Sequence, residues 1–239
     1  MSTINLLYKG QYDINDKIHV IIPLVGDILD NEDSYFNLVS LFTAMPIDLM
    51  VELDNANIDF TSINEYELFL ILFASIREMD TSLIFGDLDL KKFVFKEDTD
   101  SRMLYLYDEE NDIRIDRMIH GKIATALRFI HHLEKNRRKP ANEEAKKYML
   151  ERARIKANRK KNKQDYSDLE SLIVAIVNTE QFKYDFEGTR KLTIYQFNEC
   201  VQQIIKKVDY EHKMHGIYAG TVDPKGLSQD ELNWLTHKK

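Results

Sequence analysis

The side chains with the clearest chemical potential are two histidines near the C-terminus. His212 and His215 stand three residues apart, so they would face the same side of a helix, and Asp209 and Glu211 are close by. Zinc takes four protein ligands, or three and a water molecule. The sequence offers no further cluster to complete such a set, so we favour histidines that lie at or near the surface over a metal site.

Acidic side chains are dense in residues 27–33 and alternate in residues 87–89. A magnesium ion would need two or three of these carboxylates to converge on one face. Nothing in their spacing requires that convergence. Carboxylates at such density more often keep a surface soluble, which is the interpretation we prefer.

Recognised catalytic patterns are missing from the sequence. Cys200 is the single cysteine, and no base and orienting group that would make it a nucleophile can be identified. Gly26 and Gly86 are isolated, so there is no glycine-rich phosphate loop, and no Gly-x-Ser-x-Gly elbow occurs. We therefore expect a protein that is not an enzyme and carries no cofactor and no metal.

Charge is strongly segregated along the chain. Residues 135–163, the basic segment, hold 13 Lys and Arg against 3 Asp and Glu. The residues before it hold 11 basic and 25 acidic side chains, and those after it 9 and 12. Because a cationic run repels itself and attracts anions, it needs an anionic partner, which is either nucleic acid or the acidic remainder of this protein.

The candidate binding residues of the basic segment are its lysines and arginines. Spacings of three and four would align several of them on one helical face, where they could follow a phosphate backbone. Aromatic residues among them are few, and no recognised nucleic-acid motif is present. We therefore favour a solvated helix, or one docked on an acidic neighbour in an assembly. The candidates are Arg137, Arg138, Lys146, Lys147, Arg152, Arg154, Lys156, Arg159, Lys160 and Lys161.

The composition predicts an ordered α+β protein that is mainly α-helical. Only 8 Gly and 4 Pro occur in 239 residues, and 44% of the residues are hydrophobic. We predict three parts: an N-terminal α+β domain at 1–134, a basic helical connector at 135–163 and a C-terminal helical domain at 164–239.

Six stretches have the composition of strands. Residues 6–9 and 18–22 predict an N-terminal β-hairpin. A small antiparallel sheet is predicted within residues 83–116, from apolar runs at 83–85, 93–95 and 103–107 and alternation at 113–116. Residues 108–112 are the expected tip of a hairpin.

Helical periodicity covers most of the remaining chain, and three capping boxes punctuate it. The predicted helices are 33–41, 46–57, 65–78, 117–134, 141–157, 166–178 and 194–209. Ser62, Thr193 and Ser228 are each followed three residues later by Glu or Gln, which is typical of a helix start. The last box predicts a terminal helix that carries Leu232 and Trp234.

Both ends of the chain resemble phage-encoded proteins of the tail and baseplate assembly region. At the N-terminal end, residues 18–23 and 26–29 carry the similarity. At the C-terminal end, residues 192–198, 214–220 and 227–234 carry it. The resemblance implies a non-enzymatic role in building a phage tail, and it does not account for the basic segment.

We therefore expect a structural or assembly protein, either a tail or baseplate component or its chaperone, that acts by protein–protein docking. The expected partners are other phage structural proteins or a second copy of the chain, with no membrane involved. Tyr218, Leu232 and Trp234 are the candidate apolar contacts. A nucleic-acid-binding regulator that uses residues 135–163 is the alternative. The expected location is the host cytoplasm, with incorporation into the virion left open.

Overall fold

The computed structural model of the chain describes residues 6–160 and 167–235, and at residues 159 and 160 it describes the backbone alone. The chain is 54% helical, with a two-stranded and a three-stranded antiparallel sheet and a helical C-terminal body. This confirms the mainly helical α+β class.

Over the described residues, the strands are β1 (Gln11–Asp13), β2 (His19–Ile21), β3 (Val94–Glu97), β4 (Leu104–Asp108) and β5 (Ile113–Ile115). The helices are α1 (Val25–Leu29), α2 (Glu32–Thr43), α3 (Met50–Asn55), α4 (Glu65–Ile76), α5 (Ser82–Phe85), α6 (Arg117–His131), α7 (Glu143–Lys160), α8 (Asp168–Val177), α9 (Phe186–Arg190) and α10 (Ile194–Tyr218). Short 3₁₀ turns lie at Pro46–Leu49, Leu90–Lys92 and Pro224–Gly226.

The N-terminal hairpin forms, but its first strand lies later than predicted. β1 pairs with β2 through Gln11 opposite Ile21 and Asp13 opposite His19. Residues 6–9 form a turn instead, in which the Lys9 amide donates to the Leu6 carbonyl. Leu6 is fully buried in the core, so an apolar anchor, rather than a strand, explains the hydrophobic start of the chain.

The three-stranded sheet has the order β3-β4-β5 and spans a shorter range than 83–116. Its two hairpins fix Phe95 opposite Leu106, and Leu106 opposite Ile115. The tip at residues 109–112 is a turn, as predicted, and Asp108 organises it by accepting from the amides of Glu110 and Asn111.

Residues 83–85 are helical, so the predicted strand there is wrong. They belong to α5, which buries Ile84 and Phe85 and ends at Gly86, whose φ of 62° favours glycine. Asp80 accepts from the amide of Ser82 at 3.0 Å at the start of the helix. A short apolar run has too few residues for its period to distinguish a strand from a helical turn.

The core helix α4 begins at a different cap from the predicted one. The Asn64 side chain accepts from the amides of Tyr66 and Glu67, and Glu67 accepts from the Asn64 amide at 2.7 Å. Ser62 instead donates to the Asp59 carbonyl in the preceding turn. Both sequences satisfy the capping pattern, and burial of the following apolar residues selects the later one.

The main hydrophobic core includes residues from both sides of the basic segment. Buried side chains of α2, α4 and α6 pack in one cluster with those of α8 and α10. Backbone bonds join the two ends of the chain: Val25 donates to Leu192 at 2.8 Å, and Ile194 donates to Pro23 at 2.9 Å. The segments that carry the phage resemblance are therefore neighbours in space. The division into parts at 134 and 163 stays a prediction.

The last described residues fold back along α10 in turns. Ser228 and Glu231 exchange the two hydrogen bonds of a capping box, at 2.9 and 3.3 Å. Residues 229–235 nevertheless form turns and not the predicted helix. In contrast, the box of Thr193 and Gln196 does begin a helix, the 25-residue α10.

Within the described residues, no helix combines the length and the hydrophobicity that crossing a membrane requires.

Candidate docking surface

The basic segment begins at the end of α6, where the chain leaves the core. His132 adopts a left-handed conformation, with φ of 53°, and ends α6. Residues 133–140 then run without regular secondary structure. α7 begins at Glu143 and not at Pro140, because the Asn142 side chain accepts from the amide of Ala145 at 2.8 Å.

One face of α7, its inner face, packs on the body of the protein. Leu150 is buried in a second apolar cluster, where its neighbours include Leu53, Phe60 and Leu68. Leu150 is the single buried side chain of α7 among residues 143–158. Leu150, with the partly buried Met149 beside it, therefore fixes the rotation of an 18-residue helix.

Two of the predicted cationic residues pair with the acidic part of the same chain. Lys146 lies 2.7 Å from the Asp59 carboxylate, and Arg154 pairs with Asp54. Hydrogen bonds from Lys146 and Thr61 lower the pKa of Asp59 to about 2. Thus the inner face of α7 uses the acidic remainder of the protein as its anionic partner, one of the two possibilities that the charge pattern left open.

The outer face of α7 carries Lys147, Tyr148, Arg152, Ile155 and Lys156. Its three cations make no ion pair with the described residues. Tyr148 is 59% exposed and Ile155 47%, and the Arg152 guanidinium lies 5.6 Å over the Tyr148 ring. Cationic and apolar groups therefore lie side by side on an accessible helical face.

Arg137 and Arg138 lie elsewhere, beside a groove of about 570 Å³ between residues 135–146 and the start of α4 and α6. Lys146 lines the same groove from α7. The structure thus divides the predicted cationic set between an inner face, an outer face and a groove. Lys161 lies outside the described residues, and so do the side chains of Arg159 and Lys160.

The predicted apolar contacts lie on α10 and on the turns that follow it. Tyr218 is 80% exposed at the end of the helix. Leu232 and Trp234 are partly buried. The Trp234 carbonyl accepts from the Gln203 side chain at 2.8 Å, and the Lys207 ammonium lies 5.8 Å from its ring. Trp234 therefore packs on its own chain, whereas Tyr218 points away from it.

The histidine and carboxylate candidates do not assemble into a larger site. His212 and His215 are both exposed on α10. Within residues 6–160 and 167–235, no group of three or more His, Cys, Asp and Glu is placed to hold a metal ion. Cys200 is partly buried, and burial raises the pKa of its thiol.

His120 and Glu65 were missed by the sequence reasoning, although both line the groove. A signal for His120 was available, because it occupies an apolar position in α6 between Ile119 and Ile123. For Glu65 the signal was ambiguous, since an acidic residue in the first turn of a helix is explained by the helix dipole alone.

Comparison with known proteins finds a similarity for the C-terminal third. A family model described as the YomV second domain matches residues 159–239, which include α8, α9 and α10. That family is phage-derived, which agrees with the predicted phage origin and contains no statement about a tail or a baseplate. No curated protein and no solved structure matches the chain.

Proposed function

We propose that this chain is a non-enzymatic phage structural or assembly protein that acts by docking on other proteins. Its match to a phage-derived family supports the phage part of the proposal. The finer assignment, a tail or baseplate component or a chaperone for one, rests on the resemblance of residues 18–23, 26–29, 192–198, 214–220 and 227–234. The first and third of these segments meet in the structure, where Ile194 donates to the Pro23 carbonyl at 2.9 Å.

The outer face of α7 is the observation that carries the docking mechanism. Arg and Tyr are enriched at protein interfaces, where they provide large contact areas with polar ends. Here Arg152 and Tyr148 lie together and Ile155 is exposed beside them. Lys147 and Lys156 flank this pair without ion pairs among the described residues. A partner with an acidic rim and an apolar centre fits this face, and charge attraction would speed their encounter.

A second contact is proposed at the end of α10. Tyr218 presents its ring to solvent, whereas Leu232 and Trp234 hold the following turns against the helix. Tyr218 is therefore the member of the predicted apolar set that a partner can bury. Leu232 and Trp234 would contribute mainly by fixing the surface around it.

The test is to identify what the protein binds in phage-producing cells. A tagged chain is purified from them, captured proteins are identified by mass spectrometry, and binding is repeated with the purified partner. We expect phage structural proteins, and we expect the triple variant Lys147→Glu, Arg152→Glu and Lys156→Glu to lose them.

A matched control reverses three exposed lysines elsewhere, with the changes Lys122→Glu, Lys183→Glu and Lys191→Glu. This control should bind like the unchanged protein, because the net charge changes equally while the outer face stays intact. Capture that both triple variants lose equally would show attraction by net charge alone and would contradict a specific docking face.

Nucleic-acid binding is the second candidate function, and a specific observation favours it. Arg137, Arg138 and Lys139, like the cations of the outer face, make no ion pair with the described residues. A protein that neutralises many phosphates loses DNA affinity log-linearly as salt rises. Duplex DNA binding at physiological salt that the outer-face triple variant abolishes would replace the docking proposal with this one.

A further inference from the structure

The groove beside Arg137 and Arg138 has the volume of a small-molecule site. Its volume of about 570 Å³ falls in the range of roughly 300–1,000 Å³ that ligand pockets occupy. One wall is apolar and consists of residues 45–47 with Phe60 and Ile63. Residues 135–140 line the groove as well.

The groove is strongly cationic. Six Lys and Arg side chains line it, against two carboxylates. Glu65 is neutralised from within the protein, because Arg128 and Lys135 both donate to it. Burial would raise the pKa of Glu65, but these two hydrogen bonds outweigh burial and lower it. Arg117, Arg137, Arg138 and Lys139 have no ion pair among the described residues, so their charge is available to a ligand.

At the floor of the groove lies His120, with only 2% of its surface exposed. Its ring stacks on Phe69 with centroids 4.3 Å apart. The ring hydrogen-bonds to the backbone of Phe42, whereas Nε2 has no partner among the described residues. Burial lowers the pKa of His120 to about 4, so the ring is neutral near pH 7. Since Nδ1 donates to the Phe42 carbonyl, Nε2 is a buried acceptor that lacks a donor.

Gly121, the next residue of α6, also lines the groove. A Cβ built at this position would meet no atom within 4 Å outside its neighbours and its own helix. Glycine in the middle of a helix is unfavourable relative to alanine. The φ angle of Gly121 is not in the left-handed range, so the backbone conformation does not favour glycine there. The backbone of α6 therefore does not require glycine here, and the space beside Gly121 is open to the groove and to two neighbouring pockets that Gly121 also lines.

We propose that this groove binds a nucleoside phosphate, with the base against the apolar wall and His120 and the phosphate at the arginines of residues 137–138. A base supplies a flat body and an N–H group that can donate to the orphan Nε2. The phosphate supplies a negatively charged partner for the four cations that have no ion pair among the described residues. Inorganic phosphate alone would satisfy the cations but neither Nε2 nor the apolar wall.

Neither a duplex nor an acidic peptide fits as well. The groove is too small to admit double-stranded DNA, whose grooves and backbone are read on an extended surface. An acidic peptide would match the cations, and its main-chain N–H could reach Nε2. It would, however, leave the apolar wall beside Phe60 without a matching group unless it also carried an apolar side chain.

Calorimetric titration of the full-length protein with AMP tests the proposal, with ribose 5-phosphate and an acidic hexapeptide as comparison ligands. We expect AMP to bind with a Kd below about 1 mM, at least about tenfold more tightly than ribose 5-phosphate. The change Gly121→Leu should weaken AMP binding by about tenfold or more, because it adds a bulky side chain among the residues that line the groove, while leucine favours the helix. Arg137→Glu with Arg138→Glu should have a similar effect through the phosphate.

Two control variants separate the groove from general effects. Gly10→Leu places the same side chain at another glycine with open space around it, and Lys183→Glu with Lys191→Glu reverses two exposed charges elsewhere. Both should bind AMP within about twofold of the unchanged protein. The proposal is overturned if AMP does not bind, if ribose 5-phosphate binds equally well, if the hexapeptide binds in place of AMP, or if Gly121→Leu has no effect. None of these results bears on docking at the outer face of α7.

Discussion

Helices α6 and α7 follow each other in the chain but are held in place by different forces. α6 has 15 residues, and eight of them are buried, among them Ile123, Leu127 and Ile130. α7 has 18 residues, and Leu150 alone is buried among residues 143–158. Burial of apolar surface therefore fixes α6, whereas Leu150, the partly buried Met149 and two ion pairs position α7. Most of the surface of α7 is therefore accessible to other molecules.

The largest expected difference between the two helices follows from deleting one apolar side chain on each. Ile123→Ala in α6 should lower the free energy of unfolding by about 2–5 kcal/mol, because it opens a cavity in the main core. Ile155→Ala on the outer face of α7 should change it by less than about 0.5 kcal/mol. Urea denaturation measures both, and equal losses would show that α7 is part of the core.

Acid should weaken the core around α6 before it weakens the attachment of α7. Burial lowers the pKa of His120 from 6.5 to about 4. As the pH falls below 6.5, His120 binds a proton in the unfolded chain but stays neutral in the folded chain. Stability is therefore lost progressively until about pH 4. This loss is on the order of 3 kcal/mol for His120. His131, also with a pKa near 4 because of burial, adds to it.

Urea denaturation at a series of pH values checks this prediction. His120→Phe should make the slope of stability against pH shallower. The Lys146–Asp59 pair should persist through this range, because the pKa of Asp59 is about 2. A slope that is unaffected by His120→Phe would contradict the assignment.

Removing the apolar anchor of α7 should release that helix locally. Leu150→Ala is expected to cost about 2 kcal/mol, near the low end for leucine, because the site lies at the edge of the second cluster. Hydrogen exchange should accelerate for the amides of α7 and stay slow for those of α6. Exchange that accelerates equally in both helices would show that the two clusters unfold together.

The smallest effect is expected from the ion pair between Arg154 and Asp54, since both side chains are partly exposed. Arg154→Ala should destabilise α7 slightly at low salt and not at high salt, because surface pairs are screened. Urea denaturation at two salt concentrations measures this difference. Lys156→Ala is the matched control, because Lys156 makes no ion pair with the described residues. A similar salt response from both variants would show that the Arg154–Asp54 pair does not stabilise α7.

Most of the regular structure follows from local pattern. The strands at 94–97 and 104–108 follow from short apolar runs and the strand at 113–115 from alternation. Helices α2, α4, α6 and α8 have the spacing of an apolar face, so each of these elements was placed within a few residues. The predicted elements were wrong where the same residues fit two local structures. Ser62 and Asn64 both satisfy a capping pattern, and residues 83–85 are too few to show a period.

The candidate sites were predictable in composition but not in arrangement. The excess of Lys and Arg in residues 135–163 is visible in the chain, and so is the exposed character of α7, which follows from its thin apolar stripe. No local pattern indicates which Lys or Arg side chain forms an ion pair with a carboxylate. Lys146 pairs with Asp59 and Arg154 with Asp54 because α7 packs across α3, some 90 to 100 residues earlier in the chain.

Amino-acid order alone thus specified the helical class, the antiparallel hairpins, the Thr193 cap and the presence of a cationic segment, because these depend on neighbours a few residues apart. Long-range packing assigned the cations to three different places and brought His120, Glu65 and residues 137–138 to one groove. The reason is physical: burial, desolvation and ion pairing depend on distance in space, and residues 65 and 135 acquire their contact only when α4 and α6 pack together.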